Sequence, residues 1–286
     1  MSDLSVQKVL ERGRLALAAR SGTDASREAL YLLTGLLGTS LAEITLQCDR
    51  IVGEQDRVEY EARLARRALG EPLQYIEGRA AFRQLDLRVD RSVLIPRPET
   101  EELVEHVLQR CRGRENLRAL DLGTGSAAIA ISLALEGPFR EVVGVDISPD
   151  ALNVAGQNVA EIGLGHRVEL RQGSLFAALR PEERFDVVVS NPPYIGRDEV
   201  DSLPSEVRDW EPDVALYAGP RGWEIIEKIV DGAPGYLSHQ GLLALEVAPG
   251  VADAAAEHVR AHGGYREPRV LDDLAGRRRV LLAESS

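Results

Sequence analysis

The residue types best suited to chemistry stand at Asn191-Pro192-Pro193-Tyr194, directly after the apolar run Phe185 to Val189, where a buried strand should end. In open α/β sheets ligands bind at such strand ends. Asn191 offers an amide oxygen, and Pro192 offers a carbonyl oxygen on a backbone that its own ring and the following proline hold extended. Two acceptors on a stiff turn can hold an NH2 group, and Tyr194 supplies a flat face on which an amide or a nucleobase could stack. The plain alternative is a proline-rich loop.

A second cluster lies upstream. Asp121-Leu122-Gly123-Thr124-Gly125-Ser126-Ala127-Ala128-Ile129 follows an apolar run and opens a helical pattern, the setting of a nucleotide-binding turn. Glycines allow the tight turn, and helix N-terminal amides can take a carboxylate or phosphate. The next strand ends at Asp146, 25 residues after Asp121, where a carboxylate can accept from both hydroxyls of a ribose. Gly123, Gly125 and Ala128 also satisfy a permissive dinucleotide fingerprint. Asp121 tips the choice, because a carboxylate beside the turn attracts a cationic amino group and repels a pyrophosphate. An amino-acid-bearing nucleoside such as S-adenosylmethionine fits better than NAD.

These positions need a frame. From Leu117 onward, strand-like runs (Leu117 to Leu120, Val142 to Val145, Val168 to Leu170, Phe185 to Val189, Leu242 to Val247) alternate with helical patterns, implying a parallel sheet covered by helices on both faces. The runs at Tyr265 to Leu271 and Arg279 to Ala283 are too close for a crossover helix and should form an antiparallel hairpin. From Val6 to about Gly70 the pattern is helical: Val6, Val9, Leu10 and Leu17 mark one helix, Asp24 or Ser26 could cap a second through Leu37, and a third should run from Glu54 through Val58, Leu64 and Leu69. This region reads equally as a partner-binding domain or a packing cap. Gly70-Glu71-Pro72 ends it, and Leu85 to Val89 alternates as a half-buried strand. Ile95-Pro96-Arg97-Pro98-Glu99-Thr100 then leads stiffly into a helix carrying Leu103, Val104 and Val107, as one wall of a site or as a linker.

The 286 residues, 44% of them hydrophobic, suffice for two domains with a sizeable core. A net charge of −12 argues against a broad phosphate-binding surface and stable nucleic-acid binding. Cys48 and Cys111 lack metal-ligand spacing and suit a reducing compartment. No apolar run approaches membrane-spanning length and the N-terminus shows no signal-peptide core, so a cytoplasmic protein without a membrane partner is expected. His258 and His262 stand four apart, but without a third ligand an exposed helix face is the better reading and no metal is expected. Ile195 to Gly219, with Trp210 and several acids, is long for a plain connection and is expected to cover a substrate.

Taken together, Leu94-Ile95-Pro96-Arg97-Pro98-Glu99-Thr100-Glu101, the turn Asp121 to Ile129, Asp146, Asn191 to Tyr194, Glu211-Pro212, Ala215-Leu216 and Gly219 resemble the release-factor glutamine methyltransferases, within the class I S-adenosylmethionine-dependent methyltransferases. The resemblance covers nearly the whole chain; Asn-Pro-Pro-Tyr alone is shared with adenine N6-methyltransferases, the runner-up reading. It implies an α/β fold, a seven-stranded, mostly parallel, doubly wound sheet with a small N-terminal helical domain. Residues 1–75 would recognise the substrate, 76–97 would form a strand or hairpin linker, and 98–286 would form the methyltransferase domain. The implied reaction moves a methyl from S-adenosylmethionine to the side-chain amide nitrogen of the glutamine in the Gly-Gly-Gln motif of peptide chain release factors. Asp121, Gly123, Thr124, Gly125, Ser126, Ala127, Asp146, Ser174 and Asn191 would hold the cofactor, Asn191, Pro192, Pro193 and Tyr194 the glutamine, with Asn191 and Pro192 catalytic. Departures from the family pattern are Ala127, where a third glycine is common, Ser174, where a bulkier residue is frequent, and Arg278, where an acid is frequent.

Overall fold

The structure, a computed structural model, describes residues 4–19 and 24–286. Met1–Asp3, the start of the N-terminus read as lacking a signal-peptide core, lie outside the described residues. The chain divides into two units: residues up to Arg79 with Ser205–Trp210, and Ala80–Pro204 with Glu211–Ser286.

The first unit holds a two-stranded pair, β1 (Leu4–Ser5) and β2 (Ile51–Val52), with helices α1 (Val6–Leu17), α2 (Ala25–Leu37), α3 (Leu41–Leu46), α4 (Glu54–Ala68) and α5 (Leu73–Glu77). Asp24 caps α2, its carboxylate accepting from the Ser26 and Arg27 amides, and Ser40 with Glu43 forms a capping box on α3. The buried face of α4 differs from the apolar reading of its sequence. Val58 and Leu69 are 64% and 78% exposed, whereas Tyr60, Leu64 and Arg67 are buried. Arg67 is admitted because its guanidinium pairs with the carboxylates of Glu28 and Glu206 and donates to the Glu71 carbonyl.

The second unit begins within β3 (Arg79–Phe82), which pairs with β4 (Leu85–Arg88), and continues into helix α6 (Pro98–Arg110), which has Pro98 in its first turn. Its sheet comprises β5 (Leu117–Leu122), β6 (Phe139–Asp146), β7 (Val168–Gln172), β8 (Phe185–Ser190), β11 (Leu237–Glu246), β12 (Arg269–Asp272) and β13 (Arg278–Glu284), in the order β12-β13-β11-β8-β5-β6-β7. Only the β12–β13 and β13–β11 pairings are antiparallel, as the hairpin reading expected. Helices α7 (Ala128–Glu136), α8 (Pro149–Ile162), α11 (Glu224–Gly232) and α12 (Ala252–His262) complete the layers. Between β8 and α11 lie β9 (Ile195–Gly196), which pairs in parallel with β10 (Tyr217–Gly219), and the short helix α10 (Asp213–Leu216); α9 (Ser205–Arg208) falls in the first unit.

Period-two alternation splits the sheet's side chains into two cores. Ala119, Val142, Val187 and Ala244 pack with Leu103, Val107 and Leu133 of α6 and α7, while Leu120, Val143, Val188 and Leu243 pack with Ile226, Ile229 and Val259 of α11 and α12. Each of the buried Val, Leu and Ile side chains among them contributes on the order of 1.5–3 kcal/mol relative to exposure. Strand order reverses between β5 and β8, so the loops leaving these neighbours diverge to opposite sides and open a crevice beyond their carboxyl ends.

Candidate active site

Both sequence clusters emerge at that crevice. The Ser190 hydroxyl donates to the Leu122 carbonyl at 2.6 Å and ties the ends of β8 and β5 together. Gly123 and Gly125 turn the chain with φ of 71° and 52°, and a Cβ on either would meet no atom within 4 Å, so the turn's inner surface is open. A cavity of about 260 Å³ lies above it. Gly123, Thr124, Gly125, Ser126, Asp146, Ser174, Asn191 and Pro193 line it. Asn191 and the glycine turn therefore face one space.

Asp146 is 8% exposed, and its two oxygens accept from the Gly125 and Ser148 amides at 2.9 Å each. The carboxylate thus shapes the turn while its remaining lone pairs stay available. Asp121 and Ala127 are absent from the lining. Asp121 is fully buried behind the turn, and one oxygen accepts from the Thr124 hydroxyl at 2.6 Å while Oδ1 has no hydrogen-bond partner. Burial pushes its carboxyl up to about 7. Ala127 adopts φ of 65° at the cap of α7, and its methyl is buried in the core beneath the helix. The extra methyl relative to glycine is packed in the core and does not line the cavity.

The Asn-Pro-Pro-Tyr turn is held at both ends. Asn191 Nδ2 donates to the Thr100 hydroxyl at 3.0 Å, and the Thr100 hydroxyl donates to Glu246 at 2.7 Å. The Tyr194 hydroxyl donates to the other Glu246 oxygen at 3.2 Å, and burial pushes the phenol above its ordinary range. Pro192 is buried; it and Tyr194 do not line the cavity, whereas Pro193 does.

Leu94 and Thr100 line the cavity from the proline-rich segment that the sequence offered as one wall of a site, and Ala215 lines it from the Ala215-Leu216 pair that carried part of the resemblance. Ile147 and Ser148 from the loop after β6, and Val214, Tyr217 and Ile225 from the α10–α11 region, were not singled out from sequence. For Val214 and Tyr217 only the length of the Ile195 to Gly219 connection was a hint. Glu246 did leave a signal, an acid within the apolar run Leu242 to Val247, since a wholly buried carboxylate requires partners. Arg97 pairs with the buried Glu211 carboxylate and anchors the start of α10. Arg278, by contrast, is a surface residue paired with Asp253. His258 is bonded to Asp231 at 2.8 Å, and no cluster of metal-ligating side chains occurs among the described residues. No described helix is long and apolar enough to cross a membrane.

Known proteins share both the fold and the sequence. The family described as methyltransferase domain matches residues 114–221, and that described as PrmC N-terminal domain matches residues 8–78. A methyltransferase of Pyrococcus furiosus superposes with a TM-score of 0.54 at 20% identity, over 78% of this chain and 98% of that one. The release factor glutamine methyltransferase of Rhodopirellula baltica is 39% identical over 92% of this chain and 90% of its own length. Those of Moorella thermoacetica and Cereibacter sphaeroides are 46% and 40% identical over 76% and 93% of this chain, and 76% and 94% of their own lengths. Identity of this order over some nine-tenths of this chain and of the Rhodopirellula and Cereibacter relatives places the chain in the release factor glutamine methyltransferase family.

Proposed function

We propose that this protein transfers a methyl group from S-adenosylmethionine to the side-chain amide nitrogen (N5) of the glutamine in the Gly-Gly-Gln motif of peptide chain release factors. The observation that carries the reading is that Asn191 and the Gly123–Ser126 turn line one cavity at the sheet's switch point. The residues present suit the cofactor. An open glycine turn admits its amino-acid portion, the orphaned buried Asp121 oxygen favours a nearby cation, Asp146 at the strand end suits ribose hydroxyls, and Ile147, Val214 and Ile225 offer an apolar wall for the base. Ser174 lies on the same lining.

Bound S-adenosylmethionine supplies a methyl group activated by its sulfonium. The chain's own task is orientation, since a carboxamide nitrogen is a weak nucleophile whose lone pair is delocalised into the carbonyl. Asn191 Oδ1 and the Pro192 carbonyl accept the two N–H bonds of the glutamine amide, turning the nitrogen lone pair toward the methyl site and stabilising positive charge that develops on nitrogen. The methylated amide is strongly acidic in its cationic form, so water removes the proton and no side-chain base is required. Pro193 and Tyr194 complete the glutamine pocket, and Ile195 to Gly219 covers the substrate peptide. Residues 1–75 recognise the release factor, and the protein acts in the cytoplasm without stable nucleic-acid binding, in keeping with its net charge of −12.

The test is to incubate the protein with radiolabelled S-adenosylmethionine and, separately, a release factor, the same factor with its tip glutamine replaced by alanine, and duplex DNA. Label on the intact factor alone is expected; label on DNA, or on the alanine factor equally, overturns the assignment. Protease cleavage within 197–216 should slow when cofactor and release factor are both present, and unchanged cleavage removes the covering role.

A further inference from the structure

Asn191 and Tyr194, the first and last residues of the four-residue turn, converge on one carboxylate. Glu246 ends β11, is wholly buried, and its oxygens are met by two hydroxyls, Thr100 at 2.7 Å and Tyr194 at 3.2 Å. Asn191 reaches it through Thr100, whose hydroxyl is 3.0 Å from Nδ2. Among the described residues, Arg279 of β13 and Glu99 of α6 are the charged groups whose fields act on Glu246.

The direction of the bonds in this chain is not arbitrary. An ionised carboxylate only accepts, so the single Thr100 proton is committed to Glu246 and Thr100 meets Asn191 with lone pairs alone. Only the NH2 end of the Asn191 amide can satisfy them; the reversed amide would set its oxygen against an oxygen in a buried setting, where an unmade bond is costly. The amide oxygen is thereby turned away from Thr100. Tyr194 anchors the other end of the turn on the same carboxylate, so Pro192 and Pro193 lie between two fixed points. Burial raises the Glu246 carboxyl above its ordinary range and Glu99 adds to this, while the two hydroxyls and Arg279 favour the ionised form on which this bond direction depends.

We infer that Thr100 and Glu246 are positioning residues that fix the polarity of the Asn191 amide, presenting its oxygen and not its NH2 group to the substrate carboxamide. The inference rests on the proposed methyl transfer for its purpose but not for its geometry, and the experiment separates the two. In the wild-type protein, one Asn191 side-chain NH2 proton, assigned by its disappearance in Asn191→Ser, should resonate downfield and exchange slowly with solvent. In Thr100→Val, which keeps the shape and deletes the acceptor, that resonance should move and exchange faster; Thr100→Ser should restore it. In turnover with release factor, Thr100→Val should lower kcat about 10- to 100-fold with KM and the Kd for S-adenosylhomocysteine each within about threefold, and Thr100→Ser should recover to within about threefold of wild type.

A freely exchanging Asn191 NH2 group in the wild-type protein overturns the relay, and this measurement stands even if Thr100→Val does not fold. A shifted resonance with unchanged kcat in Thr100→Val overturns the positioning role. A protected resonance that responds to Thr100→Val, in a wild-type protein that labels no release factor, leaves the relay standing and sinks the proposed reaction instead.

Discussion

Asp146 Oδ2 accepts the Gly125 amide at 2.9 Å, so the carboxylate that ends β6 also holds the turn that follows β5. One side chain therefore serves two demands, the shape of the glycine turn and the acceptor for a ribose. Asp146→Ala should lose both, weakening S-adenosylhomocysteine binding by about 10- to 100-fold, corresponding to roughly 1.4–2.8 kcal/mol. Titration calorimetry checks this, and Asp146→Asn, which keeps one acceptor oxygen, should fall between the two.

Asn191→Ala removes one of the two oxygens proposed to hold the glutamine amide while leaving the turn after β5 untouched. Turnover should fall at least about 100-fold, by analogy with loss of a single preorganised polar group in other active sites, with cofactor Kd within about threefold. Steady-state kinetics with release factor, beside calorimetry with S-adenosylhomocysteine, gives both numbers.

Asp121 titrates near 7 in the folded protein against 3.8 for an ordinary aspartate, because burial penalises its charge. A raised folded pKa means that this group's contribution to stability is fully present below about pH 4 and is lost as pH rises through about 7, at about 1.4 kcal/mol per unit. Asp121→Asn should therefore gain stability relative to wild type as pH is raised from about 5 to about 7, and the difference should level off above that. Urea unfolding of both proteins across this range reads the effect, and a pH-independent difference would falsify the assignment of the shift to Asp121.

Arg67 is 3% exposed, and Glu28, its partner across the helical unit, is 9% exposed. Removing the guanidinium strands a buried carboxylate, so Arg67→Met should destabilise by about 3–5 kcal/mol, whereas the double variant Arg67→Met with Glu28→Leu should recover much of the loss. Chemical denaturation of the two variants decides it; equal losses would mean that Glu28 is not the group left uncompensated.

The alternation of strand-like and helical runs, the hairpin at the C-terminus and the places of the two motifs were all legible in the amino-acid order. Each rests on local regularities: the near-continuous burial of a central parallel strand from Leu117 to Leu122, the conformational freedom of Gly123 and Gly125, the stiffness of Pro192 and Pro193. Periodicity misled where burial of a charge replaced burial of carbon. On α4 the apolar Val58 is exposed, as is Leu69 just past its end, and Arg67 is inside, because Glu28, 39 residues earlier in the chain, neutralises it. No local pattern carries that information. The same holds at the site. Residue types and spacing alone determined that a carboxamide acceptor and a glycine turn would each stand at the end of a strand. That the two strands are neighbours, that Asp121 lies behind the turn and not on the cavity, and that Thr100 and Glu246 meet Asn191 was decided by the order β11-β8-β5-β6 in the folded sheet. Strand order depends on which long-range pairings bury both faces at once, and only the folded chain brings residues 100, 191 and 246 within hydrogen-bond reach.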